Sequence, residues 1–282
     1  MPFSPRASIA DRGGAGLEFI DKPLKFRGSS WFEPSGAAIL YDDFLGQVMN
    51  PDMWDTVQPQ ATAGTVFAIG LTAGGADGGH GGWLRGVTGT GDDDCEMVVG
   101  SRNWSTANLG NGTLVFETRL CMPVITTVNV SCGFTDAITE SAAGGIVDFI
   151  SDAVTAIPDD GAHWGFDTDQ TTDVFRGIGS TGGTDTAFSA SATGSAPPTD
   201  DPFTLRIEMD SAEVAYFAMS RIPTGYTAGD GVGPLEYRGA VAGAGTSTVA
   251  MAPYLAVTAR AGTDNLALEC DYIFVAAARS KA

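Results

Sequence analysis

FTLRIEMDSAEVAYFAM, residues 203–219, is the stretch whose reading decides the fold class. Phe203, Leu205, Ile207 and Met209 alternate with Thr204, Arg206, Glu208 and Asp210. Successive side chains of an extended chain point to opposite sides, so this period of two describes a strand with one apolar and one polar face. EVAYFAM (213–219) then returns across a short Asp-Ser-Ala turn. The pair reads as a hairpin whose polar face is exposed and ends in an acidic turn.

The same pattern extends outward. TLVFETRLCM (113–122), TTVNVSCGF (126–134), HWGFDT (163–168), DVFRGIG (173–179), PYLAVTAR (253–260) and LALECDYIFVAA (266–277) read as strands. ILYDDFL (39–45), TVFAIGL (65–71) and CEMVV (95–99) complete the set. AAGGIVDFISDAV (142–154) is the best helix candidate, and at most a short one. Residues 72–83 and 179–201, rich in Gly, Ser and Thr, read as long loops. No period of 20–50 residues recurs, which excludes a propeller or solenoid. Ten or more strands with such connections predict an all-β sandwich or closed barrel.

Composition agrees. The 282 residues hold 25 Asp against 9 Glu and 12 Arg against 3 Lys. Turn formers have displaced the usual residues of exposed helix faces. Hydrophobic residues make up 43% of the chain, too many for global disorder. A net charge of −19 disfavours nucleic-acid binding by the body of the molecule. No run reaches the roughly 18 apolar residues of a membrane span, and MPFSPRASIADRGG has no signal-peptide h-region, so no membrane association is expected. Cys95, Cys121, Cys132 and Cys270 are dispersed, without a C-x-x-C pair, and are expected as buried thiols in a protein folded in a reducing cytoplasm.

Residues 1–38 differ from the rest. Five basic residues stand against four acidic ones, a net of +1, which leaves −20 on the other 244. Four prolines, five glycines and no sustained periodicity predict an extended arm (1–38) before a β domain (39–282). Its apolar and basic residues, Phe19, Lys22, Lys25, Phe26, Arg27, Trp31 and Phe32, are the candidates for contact with a partner.

The order of segments is a further clue. YDDFLG (41–46) and WDT (54–56) are followed by FETRLCMP (116–123), GFTDA (133–137) and HWGFDTD (163–169). Then come FTLRIEMDSAEVAYF (203–217), PYLAVTARAG (253–262) and LECDYIFVAA (268–277). This order resembles the concanavalin-A-like jelly-roll domains of tailed-bacteriophage virion proteins. In those, a GF-T/S-D turn follows a long strand, an LRIE-D…V-YF hairpin crosses the sheet, and the last strand ends in DYI-V. The resemblance spans residues 39–278. It implies a concanavalin-A-like jelly-roll β-sandwich in a non-enzymatic virion component, with a capsid decoration (cement) protein on the particle exterior as the leading expectation. The implied partners are the major capsid protein or other virion subunits, in a homo-oligomer for which a trimer is favoured. A head-fibre or tail-associated glycan- or receptor-binding module is the first alternative.

The second alternative is enzymatic. Glu208, Asp210 and Glu213 resemble the E-x-D-x-x-E signature of glucanases sharing this jelly roll, in which two carboxyls about 5–5.5 Å apart serve as nucleophile and acid/base. Ser211-Ala212 reads as a turn that carries Glu213 onto the next strand, so catalysis is not expected. Asp92-Asp93-Asp94 and Asp167-Thr168-Asp169 offer oxygen ligands for calcium, but neither continues into a full calcium loop, so they read as solvated turns with no metal or cofactor. His80 is expected exposed and His163 at the rim. Trp54 and Trp164 are expected in the core, and Trp83 and Trp104 exposed.

Overall fold

The computed structural model of the chain describes residues 37–44, 49–57, 65–69, 83–89, 91–101, 103–107, 109, 113–137, 146–150, 153–156, 158–187, 196–227, 229–260 and 267–278. In chain order the strands are β1 (Ala37–Asp42), β2 (Trp54–Val57), β3 (Thr65–Ile69), β4 (Leu84–Val87), β5 (Cys95–Gly100), β6 (Thr113–Cys121), β7 (Val128–Thr135), β8 (Val147–Ile150) and β9 (Ala153–Ala156). They continue with β10 (Gly161–Asp167), β11 (Arg176–Thr181), β12 (Thr184–Ala187), β13 (Phe203–Asp210), β14 (Val214–Ser220), β15 (Leu235–Ala242), β16 (Ala252–Ala259) and β17 (Ala267–Ala278).

Two large sheets result. The eight-stranded one runs β15-β14-β13-β6-β17-β4-β3, with β1 also paired to β17, and the seven-stranded one runs β12-β11-β10-β7-β16-β5-β2. Every strand pair is antiparallel, and sequence-distant strands lie side by side, β13 with β6 and β16 with β7. The core forms where alternation predicts. Leu114, Phe116, Leu205, Ile207 and Val275 of one sheet meet Val130, Phe134, Trp164, Phe166 and Leu255 of the other. The fold is therefore the all-β, jelly-roll-type sandwich expected. Trp54 and Trp164 are buried in it, as are all four cysteines, which are free thiols.

Gly133 on β7 shows how tightly the sheets meet. Its φ is +141°, and a Cβ there would stand 2.2 Å from the Ala162 carbonyl and 2.7 Å from Ile207 Cδ1. Only glycine fits that position.

Several expectations are corrected. The helix candidate at 142–154 instead supplies β8 and the start of β9, a hairpin that forms a second apolar cluster against the outer face of the seven-stranded sheet. Val147 and Phe149 pack with Cys95, Met97, Ile178 and Tyr254. Gly165 lets the hairpin approach, since a Cβ there would meet Phe149 and Ile178 at 2.9 Å. β12 lies within the stretch read as a loop, 179–201. Trp104 is buried rather than exposed, docked by a bridge to Met251, and Trp83 is half-buried. His80 lies outside the described residues.

His163 is fully buried, not at the rim, because its side of β10 faces this covered layer. Its Nδ1 lies 3.0 Å from the Tyr254 hydroxyl, and its Nε2 meets no hydrogen-bond partner among the described residues. Burial pushes its pKa from the ordinary 6.5 down to about 3. The unfolded chain thus binds a proton that the folded chain refuses between those values. The resulting stability is fully present above pH 6.5 and is lost as pH falls toward 3. Lowering the pH from 7 to 5 should cost about 2 kcal/mol through this group. Urea titrations at the two pH values measure it. The His163→Gln chain should lose clearly less over the same interval, and an equal loss in both would refute the assignment.

Candidate functional site

On β13 the residues between the core positions point to the outer side of the eight-stranded sheet. An exposed polar face was expected there, yet both faces of this strand are buried from Leu205 onward. Cross-strand register explains the arrangement. Tyr41 (β1) stands opposite Phe274 (β17), Phe274 opposite Glu117 (β6), and Glu117 opposite Arg206 (β13). Arg206 in turn faces Ala218 (β14), and Ala218 faces Tyr237 (β15). One continuous row therefore crosses six strands, with a tyrosine at each end and an ion pair at its centre.

The ends and the centre differ sharply. Tyr41 and Tyr237 are 50% and 49% exposed, and Ile39, beside Tyr41 on β1, is 41% exposed. They are the three large exposed hydrophobics among the described residues. Arg206 and Glu208 are each 1% exposed and Glu117 is 5% exposed. Arg206 Nη1 donates to Glu117 Oε2 at 3.0 Å, and its Nε lies 2.8 Å from Glu208 Oε1. Tyr272 donates to Glu117 Oε1 at 2.7 Å. Burial first, and the Glu117 charge second, push the Tyr272 hydroxyl well above its ordinary pKa. One guanidinium between two carboxylates satisfies charges that would be very costly to bury alone.

The three acids of the glucanase-like signature do not converge. Glu208 belongs to the ion cluster just described. Asp210 Oδ1 accepts the Ala212 and Val214 amides at 2.9 and 3.2 Å, and its Oδ2 accepts the Tyr216 hydroxyl at 3.1 Å. Glu213 sits in the turn with φ +61°, and its carboxylate accepts the Ser247 amide at 2.8 Å. Asp210 and Glu213 therefore brace the β13–β14 hairpin and its neighbour loop. The arm candidates Phe19, Lys22, Lys25, Phe26, Arg27, Trp31 and Phe32 lie outside the described residues.

The two Asp clusters come together, which their spacing in sequence does not reveal. Asp93, Asp148, Asp167 and Asp169 surround Arg260 at the end of β16, with Nη1 donating to Asp93 at 2.9 Å and Nε to Asp167 at 3.1 Å. Asp167 also accepts the Asn129 side-chain amide and the Phe149 main-chain amide. This knot fastens the β8–β9 hairpin to the sheet, and a guanidinium occupies the position a cation would take. Burial lifts the Asp148 and Asp93 carboxyls above their ordinary range against the pull of Arg260. A separate cleft of about 390 Å³ opens where β2 and β3 end the two sheets, walled by Met49, Trp54, Phe67 and Ile69. It gathers none of the predicted site residues.

No family model and no curated protein matches the chain. Among solved structures, peanut lectin is similar with a TM-score of 0.52 and 13% identity, over 87% of this chain and 99% of that one. The CBM2 module of the evolved Dit of Lactobacillus casei BL23 phage J-1 is 13% identical over 88% and 98%, with a TM-score of 0.47. The pseudo β-1,3-glucanase of Mycobacterium tuberculosis is 10% identical over 86% and 98%, also with a TM-score of 0.47. At such identity the lectin likeness is one of fold alone: a concanavalin-A-like sandwich.

Removing the central cation tests the ion cluster. Arg206→Met leaves two buried carboxylates without their counter-charge and should cost about 3–5 kcal/mol in urea unfolding. Combining it with Glu117→Gln and Glu208→Gln should recover most of that loss. A single-variant cost below about 1 kcal/mol, the range of exposed pairs, would sink the cluster as a structural element.

Proposed function

We propose that this chain is a non-enzymatic structural protein of a tailed-bacteriophage virion. In the finer reading it is a capsid decoration protein on the particle exterior, assembled in the bacterial cytoplasm and attached through its N-terminal arm. The observation that carries the non-enzymatic part is the commitment of Glu208, Asp210 and Glu213. Each is tied into an ion cluster or a turn, so these three do not face one another as the pair glycoside hydrolysis needs. The charge division supports the attachment, with a −20 body that stays soluble and a slightly basic, apolar arm. Ile39 and Tyr41, exposed where the arm joins β1, extend that apolar surface onto the sandwich. The partner would be the major capsid protein or another virion subunit. A homo-oligomer, favoured as a trimer, would multiply modest contacts by avidity.

A second reading draws on the row itself. Exposed Tyr41 and Tyr237 at its two ends favour a glycan-binding module of a head fibre or tail, since such rings stack on sugars.

Adding purified chains back to particles that lack them separates the readings. The full chain should sediment with particles. A chain without residues 1–36, which keeps β1 whole, should remain folded and fail to bind, while Tyr237→Ala should still bind. The glycan reading instead requires the truncated chain to keep its sugar ligand and the tyrosine variant to lose it. Particle binding by the truncated chain would overturn attachment through the arm, and β-glucan hydrolysis by the full chain would overturn the non-enzymatic reading.

A further inference from the structure

The outer face of the eight-stranded sheet is sealed at its centre. Val115, Ala218 and Ala276 on this face are no more exposed than core residues, and Arg206, Glu208 and Glu117 are buried with them. The opposite sheet owes its covered outer face to the β8–β9 hairpin, which packs on β10 and β12. Among the described residues, no strand lies over the eight-stranded sheet in the same way.

We infer that residues 22–32 of the arm, KPLKFRGSSWF, lie across this face of their own chain and seal it. Connectivity, charge, side-chain type and length all point there. The arm joins β1 at Ala37, on this sheet and at the flank of the face, where Ile39 and Tyr41 stay exposed. Pro34-Ser35-Gly36 immediately precede β1, a composition suited to turning the chain back over the sheet. Around the ion cluster, the described residues of β6, β13 and β17 on this face present Glu117, Glu208, Asp210 and Asp271 against Arg206 and Arg119, a net of two negative charges. Residues 22–32 bring Lys22, Lys25 and Arg27 with no acid among them. Phe26, Trp31 and Phe32 supply apolar surface for a platform edged by Tyr41, Tyr216 and Tyr237.

The length also fits. The row from β1 to β15 spans five strand spacings, about 24 Å. Eleven extended residues reach about 36 Å. Residues 1–21 are left free to extend beyond the sandwich. The inference thus goes further than the proposed function by dividing the arm, with an inner half that completes the fold and an outer half available to a partner.

Carbodiimide-driven labelling of carboxyl groups, read by peptide mass spectrometry, is the test. Glu117 and Glu208 should be protected in the full chain and in one lacking residues 1–21, and should lose protection when residues 1–36 are removed. Near-UV circular dichroism of the buried tryptophans reports that each chain is folded. Continued protection in a folded chain without residues 1–36 overturns the inference. Particle binding, lost on removing residues 1–36 under the attachment reading, is scored separately, so the two can fail independently.

A measurement on the intact chain stands should the shorter one not fold. Lys22, Lys25 and Lys281 are the chain's only lysines, so zero-length cross-links between lysine and carboxyl groups mark the arm directly. In a mixture of isotopically light and heavy chains, Lys22 or Lys25 should join the solvent-reachable rim acid Asp271 of this face, within one chain. Links confined to acids elsewhere, links only between chains, or none at all would overturn it. Links between chains would assign the cover to a second copy.

Discussion

Trp164 joins the two sheets through the middle of the molecule. Its indole Nε1 donates to the main-chain carbonyl of Arg206 at 3.0 Å, from β10 across the core to β13. A buried indole N–H without an acceptor would be costly, so the bond fixes which part of one sheet stacks on which part of the other. Phe217 and Phe175 then close edge-on around the ring, with centroids 5.2 and 6.2 Å away. The same residue that accepts this bond from the core side holds Glu117 and Glu208 on the outer side. A slip of β13 by one position would send Arg206 into the core and Leu205 out of it, and would move the carbonyl from the indole. Core and outer face thus enforce a single register.

That register explains how three acids spaced like a catalytic signature come to have separate partners. Alternation puts Glu208 and Asp210 on one face, as the glucanase-like reading requires. A retaining glycosidase needs its carboxyls facing a shared gap with the substrate between them. Here a guanidinium fills the space beside Glu208, and the β13–β14 turn consumes Asp210 and turns Glu213 aside. The spacing of the letters survives while the geometry that would give them chemistry does not.

Period-two alternation made the long core strands legible, because β7, β13 and β16 each put an unbroken apolar series against the opposite sheet, and β6 one broken only by Thr118. It failed where burial comes from a second layer. His163 and Trp104 looked peripheral because their neighbours in sequence are polar or small; their covers, the β8–β9 hairpin and the segment at Met251, are remote in the chain. β8 and β9 themselves, rich in Ala, Val and Ile, carry a pattern that helix and strand share over four residues. β15, LEYRGAVA, follows no clean alternation because it is an edge strand with exposure on both sides. Arg260 left no signal at all: its aspartates come from three separate parts of the chain, and single residues that meet only in the fold form no motif. The Asp clusters were visible, but their counter-charge was not.

Both buried clusters use arginine, and the composition follows from that. Arg206 reaches two carboxylates and Arg260 at least three, in different directions from one planar group. A lysine ammonium, more strongly hydrated and without that fixed fork, could not bridge them at the same desolvation cost. No lysine lies anywhere between β1 and β17. Cations in the sandwich are therefore few and mostly committed, and the surplus aspartates stay in solvent-facing turns, which leaves the body at −20. At physiological salt such a charge is screened beyond about 8 Å, so it cannot hold a distant basic segment by its field alone. The docking proposed for the arm therefore requires its lysines to act by contact, with the neighbouring aromatic residues supplying the apolar burial that charge in water does not.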